Sequence, residues 1–189
     1  MTQEIAFGRR NLIRMSGVAG AGVVAGCLGD SGDAGDGRER EDNGVEPIAD
    51  DWQAETITDV TTGEQFSIAG LATPVLLHTF ATNCLTCASQ QDEFAAFLSS
   101  HDDVSIVELT TDPDLDADRI AAHADEEGLD WRVGVPSERI LGALIDAFGT
   151  EVSVSAQSPV IVTCPDGTTD ALSKVADPDE LEGALEDVC

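Results

Sequence analysis

The 189-residue chain contains no tyrosine, and aromatic side chains make up only 4 % of it. A hydrophobic core must therefore be assembled from Val, Ile, Leu, Ala and six Phe. Basic residues are scarce: 9 Lys and Arg stand against 37 Asp and Glu, a formal net charge of −28, and Lys174 is the only lysine. With no basic patch to meet phosphates, nucleic acid is excluded as a partner. Long apolar runs are missing too. Met15 to Gly26 is too short and too Gly-rich to span about 30 Å of hydrocarbon. There are no internal repeats.

So much like charge weakens a compact state in dilute buffer. The apolar segments are nevertheless well patterned, which separates this chain from disordered ones. In molar salt the Debye length is about 3 Å and the repulsion is screened. The composition therefore suits an extreme halophile; an acidic partner-binding surface is the alternative reading.

Near the N-terminus, Gly8-Arg9-Arg10-Asn11-Leu12-Ile13 pairs two arginines with apolar residues, and Val24-Ala25-Gly26-Cys27 puts a cysteine behind small residues. This resembles a twin-arginine signal peptide ending in a lipobox. The resemblance implies that residues 1–27 direct export, that Cys27 is the lipidation site, and that the protein is anchored to the outer face of the cell membrane. Residues 28–50 are Gly, Asp, Glu, Arg and Ser with hardly an apolar side chain, and read as a flexible acidic linker. A globular domain covers 51–189.

Within that domain, Glu55 to Val60 and Gln65 to Ile68 read as a hairpin around Thr61-Thr62-Gly63-Glu64. Val75 to Phe80 and Val104 to Leu109 are nearly continuous apolar runs, expected of strands buried on both faces. Helices are expected over Ala88 to Ser100, Asp114 to Glu127 and Ser137 to Phe148, with Gly128 and Gly149 as stops. Trp131 to Val135 is a short strand. Pro159 to Thr163 and Thr168 to Ser173 flank the turn Pro165-Asp166-Gly167. The last helix opens with Asp177 as N-cap, Pro178 at N1 and Glu180 closing a capping box. The alternating middle implies parallel strands with crossover helices, and the final hairpin adds antiparallel ones.

One motif carries chemistry. Cys84-Leu85-Thr86-Cys87 ends the first buried strand and feeds a helix, the layout of a thiol–disulfide redox pair. At a helix N-terminus, backbone N–H groups and the macrodipole favour the Cys84 thiolate as nucleophile, and Cys87, one turn on, resolves the mixed disulfide. A zinc half-site and two inert thiols are the competing readings. Zinc requires a second ligand pair, and Cys164 and Cys189 lack C-x-x-C spacing, so no metal is assigned. In an oxidising compartment Cys164 and Cys189 either form a structural disulfide or stay free. A bridge would close a loop of about 25 residues, worth about 3 kcal/mol on the chain-entropy model.

The run Val75-Leu76-Leu77-His78-Thr79-Phe80-Ala81-Thr82-Asn83-Cys84-Leu85-Thr86-Cys87, then Ser158-Pro159 before a strand, then Pro165-Asp166-Gly167, resembles the thioredoxin fold. Within it, residues 52–188 are similar to the membrane-anchored branch of TlpA-type thiol–disulfide proteins and Sco proteins. The resemblance implies an α/β thioredoxin-like fold, a central mixed sheet flanked by helices with an N-terminal β-hairpin. It implies a thiol–disulfide oxidoreductase acting on protein thiols and a membrane thiol donor or acceptor, with no cofactor beyond the cysteine pair. It also implies that Pro159 is a cis-proline against the dithiol and that Ser158 offers its backbone to substrate. His78 occupies the strand position where thioredoxins bury a carboxylate that accepts the resolving cysteine's proton. His78 is read either as that proton partner or as a core histidine bonded to backbone.

Two departures are visible: Asn83 stands where the family often has Trp, and Leu85-Thr86 where it usually has Pro or Gly. The alternative function is a Sco-like copper chaperone for respiratory oxidase assembly. Sco proteins use a histidine before the last hairpin, where this chain has Ser153 to Ser158 without one, and three residues between the cysteines rather than two. A peroxiredoxin-type nucleophile, Thr-x-x-Cys, has the wrong spacing here.

Overall fold

A computed structural model describes residues 52–112 and 114–189. The export segment 1–27, its Cys27 and the linker 28–50 lie outside the described residues. Strands β1 (Ile57–Thr58) and β2 (Gln65–Phe66) form an antiparallel hairpin. Then come β3 (Val75–Phe80), α1 (Leu85–Leu98), β4 (Ser105–Thr110), α2 (Ala117–Glu127), β5 (Arg132–Gly134) and α3 (Glu138–Phe148). The chain closes with β6 (Val160–Thr163), β7 (Thr169–Leu172) and α4 (Pro178–Val188). The five-stranded sheet has the order β5-β4-β3-β6-β7, with β3, β4 and β5 parallel and β6 and β7 antiparallel. This is the expected mixed sheet flanked by helices, with the N-terminal hairpin present.

Alternation along β3 sorts the core. Val75 and Leu77 face Ile140 and Leu144 of α3. Leu76 packs with Phe94 and Phe97 of α1 and Leu181 of α4. Phe80 packs with Cys87 and with Ile120 and Ala124 of α2. The crossovers β3-α1-β4 and β4-α2-β5 step the same way across the sheet, and right-handed crossovers then put α1 and α2 on one face. His78, between Leu76 and Phe80, is thereby committed to the α1 face.

Several boundaries differ from the pattern-based ones, each for a local reason. The hairpin strands are shorter, because the Asp59 side chain accepts from Thr61 N and Oγ1 and bends the chain early. Helix α2 begins at Ala117 rather than Asp114, where the Asp116 carboxylate caps Arg119 N. Helix α1 begins at Leu85 rather than Ala88, so the C-x-x-C motif is its first turn. The α4 capping box forms as expected between Asp177 and Glu180.

Two glycines are required by geometry. Gly149 has φ 93° and ψ 169°, backbone open to glycine alone, and turns the chain from α3 into a 3-10 segment, Thr150–Ser153. Gly134 lies where a Cβ would sit 2.6 Å from Ile57 Cγ2. That closeness lets the hairpin dock on β5, through Val60 N–H to Val133 O at 2.8 Å, and shields this sheet edge.

Cys164 at the end of β6 is joined to Cys189 behind α4, with Cα atoms 5.4 Å apart. Replacing both with serine is expected to cost about 3 kcal/mol and to lower Tm by about 10 °C. Calorimetry in molar salt checks this, and an unchanged Tm would show that the bridge constrains nothing.

Candidate active site

Cys84 is the N-cap of α1: its backbone is extended (φ −104°, ψ 106°) and its sulfur accepts the Cys87 N–H at 3.2 Å. Its carbonyl takes the Ala88 N–H at 3.1 Å. In a chain with 37 acidic residues, the first turn of α1 has none. The positive end of the helix dipole therefore meets the sulfur with no acid of the helix's own turn to oppose it, which favours a thiolate there. The two sulfurs lie at disulfide distance, with Cα atoms 5.2 Å apart. They differ in access: Cys84 is half-buried and Cys87 is 1 % exposed. Leu85 between them is 87 % exposed.

Beneath the pair is a buried polar chain. The parallel register sets His78 directly beside Glu108. Both are fully buried, and His78 Nδ1 donates to Glu108 Oε1 at 2.7 Å. Glu108 Oε2 also accepts from Gln91 Nε2 of α1 at 2.8 Å and from Trp131 Nε1 at 3.1 Å. The other imidazole nitrogen, Nε2, lies 3.0 Å from Lys174 Nζ. An ammonium has donors only, so Nε2 accepts and the proton sits on Nδ1. Lys174 Nζ continues to Cys87 Sγ at 3.2 Å and to the Ser155 carbonyl.

Burial shapes both bases. It lowers the His78 pKa, an effect the hydrogen bond and charge of Glu108 oppose, and Lys174 lowers it further. His78 is therefore a neutral imidazole at neutral pH. Burial also lowers Lys174 to about 8, against the attraction of Glu108.

His78 thus lies under the dithiol as expected, but its link to the sulfur runs through Lys174. Sequence reasoning missed Glu108 and Lys174. Two signals were present: one charged residue inside a buried six-residue strand, and one lysine in the whole chain. Trp131 lends its indole N–H to Glu108.

The Ser158–Pro159 segment departs from expectation. Every peptide bond among the described residues is trans, that before Pro159 included, so the expected cis-proline is corrected. Trans is the lower-energy X–Pro isomer by about 0.5–1 kcal/mol. Ser158 is buried: its N–H goes to Val154 O at 3.0 Å, and its hydroxyl accepts from Thr79 Oγ1 at 2.6 Å. Its N–H is therefore engaged internally rather than offered to substrate. The backbone group at the dithiol is instead the Ser155 carbonyl, 3.4 Å from Cys87 Sγ. Cys164 and Cys189 lie at the other end of the sheet, where Thr163 pairs with Val75. His101 stacks on Phe97, and His123 stacks on Phe80, whose ring packs with Cys87. Among the described residues, no three His, Cys, Asp or Glu converge as metal ligands.

No protein-family model matches the sequence, and no curated protein does. Solved structures match. A secreted Mycobacterium tuberculosis disulfide oxidoreductase homologous to E. coli DsbE is 19 % identical, with TM-score 0.54 over 74 % of this chain and 99 % of that one. BsSco, of the Sco family of cytochrome c oxidase assembly proteins, is 18 % identical, with TM-score 0.57 over 70 % of this chain and 90 % of its own. A thioredoxin-related protein from Neisseria meningitidis serogroup B is 14 % identical, with TM-score 0.55 over 69 % and 96 %. At these identities the likeness establishes a thioredoxin-like fold.

The neutral state of His78 has a measurable consequence. The unfolded chain takes up a proton at this imidazole near pH 6.5, while the folded chain does so only at lower pH. Stability is therefore expected to fall as pH drops from about 6.5 towards 5, with this group contributing up to about 1.4 kcal/mol per pH unit. Denaturant titrations in molar salt check the slope. His78→Asn should flatten it; an identical slope in the variant would remove the assignment.

Proposed function

We propose that this protein is a thiol–disulfide oxidoreductase that exchanges electrons with protein thiols through Cys84 and Cys87. The observation that carries this is the division of labour in the pair: an accessible sulfur at an acid-free helix N-terminus, and a buried one a turn behind it. In the reduced state the Cys84 thiolate attacks a partner disulfide. A Cys84–partner bond forms and one partner thiolate leaves. The Cys87 sulfur then attacks Cys84, the intramolecular disulfide closes, and the second partner thiolate departs with the electron pair. Two electrons have passed to the partner, and the reverse sequence accepts them back.

The setting is part of the same proposal. An export signal ending in Cys27 and the linker 28–50 would hold the domain outside the cell membrane as a lipoprotein, in a saline medium that screens its charge. A membrane thiol donor or acceptor would complete the circuit. The Sco-like copper alternative calls for a ligand beyond the two thiols. Residues 153–158 supply no imidazole, and both nitrogens of His78 are occupied.

In molar salt the reduced protein should cleave insulin disulfides, Cys84→Ser should fall to the uncatalysed rate, and Cys87→Ser should accumulate a mixed disulfide visible by mass. Activity retained in Cys84→Ser would sink the redox reading, as would tight Cu(I) binding by that variant. In the source cell, Cys27→Ser should move the protein out of the membrane fraction; continued membrane association would overturn the anchor.

A further inference from the structure

We propose that Lys174 is the proton carrier of the buried sulfur: it exchanges the Cys87 proton with solvent at each turnover, while His78 and Glu108 hold its amine in place. The inference rests on the oxidoreductase reading and assigns that site an acid–base residue.

Access is the first argument. Cys87 is closed to solvent, yet its sulfur gains or loses a proton whenever the pair is reduced or oxidised. Among the described residues, the side-chain donor hydrogen-bonded to this sulfur is the Lys174 amine, 3.2 Å from Sγ on a half-buried side chain. The Ser155 carbonyl beside them has no proton to give. Positioning is the second argument. His78 Nε2 and the Ser155 carbonyl each accept from the amine, which aims it at Sγ. Glu108, bonded to the far side of the imidazole, fixes the tautomer that makes Nε2 an acceptor.

The groups that face the amine are Cys87 from α1, His78 from β3 and Glu108 from β4. The nearby acids of α4 and β7 are engaged elsewhere: Asp177 and Glu180 cap each other's backbone, and Asp170 accepts from Ala171 N. Burial brings the amine to about 8, where it releases and recovers a proton near neutral pH.

The step balances. When a donor thiolate opens the Cys84–Cys87 bond, the electron pair of that bond stays on Cys87 Sγ, and a Lys174 N–H proton moves to it. The amine is reprotonated from solvent. In the other direction, neutral Lys174 takes the Cys87 proton, the thiolate attacks Cys84 Sγ, and the bond from Cys84 to the partner breaks with its electrons on the partner sulfur.

The test is a single turnover of the full-length chain carrying Cys27→Ser, its dithiol freed by one equivalent of dithiothreitol, in molar salt. One equivalent of a chromogenic nitrobenzoate disulfide reports both steps, the first dye released by Cys84 and the second by Cys87. K174Q should keep the first release and slow the second by about tenfold or more at pH 7, the effect of displacing a thiol's titration by one unit. Its second phase should become steeply pH-dependent at higher pH than in the wild type. K174R keeps the charge but cannot release a proton in this range, so it should not restore the second phase. A second phase equal to wild type in either variant would overturn the proposal, even if the other failed to fold. Absence of any dye release from the wild type would instead overturn the oxidoreductase reading.

Discussion

A carboxylate shut away from water is tolerated only where donors replace the solvent it has lost. Glu108 is in that position, and much of the fold serves it. Strand β3 supplies the His78 imidazole, α1 the Gln91 amide, and the approach to β5 the Trp131 indole. Each donor comes from a different element, so satisfying one side chain also fixes the relative placement of three. The six-residue ladder between β3 and β4 makes this possible. A slip of one residue in β4 would turn Glu108 to the opposite face, among Ile140 and Leu144, with no donor in reach.

The legible and illegible parts of this molecule separate by range. Signals within a few residues were readable: the Cys84 to Cys87 spacing, the Asp177–Pro178–Glu180 cap, and the apolar runs of β3 and β4. The polar chain was not, because its members meet across long separations. His78 and Glu108 are 30 residues apart, and Lys174 and His78 are 96 apart. Only the strand register and the path of the β7–α4 loop bring them together. The loop before β6 was misread for a related reason. Family resemblance pointed to Ser158 and a cis Pro159, whereas the Thr79–Ser158 hydroxyl pair turns that serine inward and leaves Ser155 at the sulfur.

Charge is distributed with the same economy. Among the described residues most acidic side chains are exposed, yet none stands in the first turn of α1. Basic residues are placed as sparingly. Arg139 meets Glu55 at 3.0 Å and Arg132 lies over the Phe66 ring, both away from the sulfurs. The single lysine reaches Cys87.

The bridge between Cys164 and Cys189 takes on a second meaning in this light. Lys174 lies in the loop that enters α4, and the opposite end of that helix is bolted to the sheet by the bridge. Helices transmit displacement along their length as stiff rods. The bridge therefore holds the far end of the rod whose near end follows the Lys174 amine and its contact with Cys87. The Cys164–Cys189 bridge thus ties one end of α4 to β6, and the loop that carries Lys174 hangs from the other end.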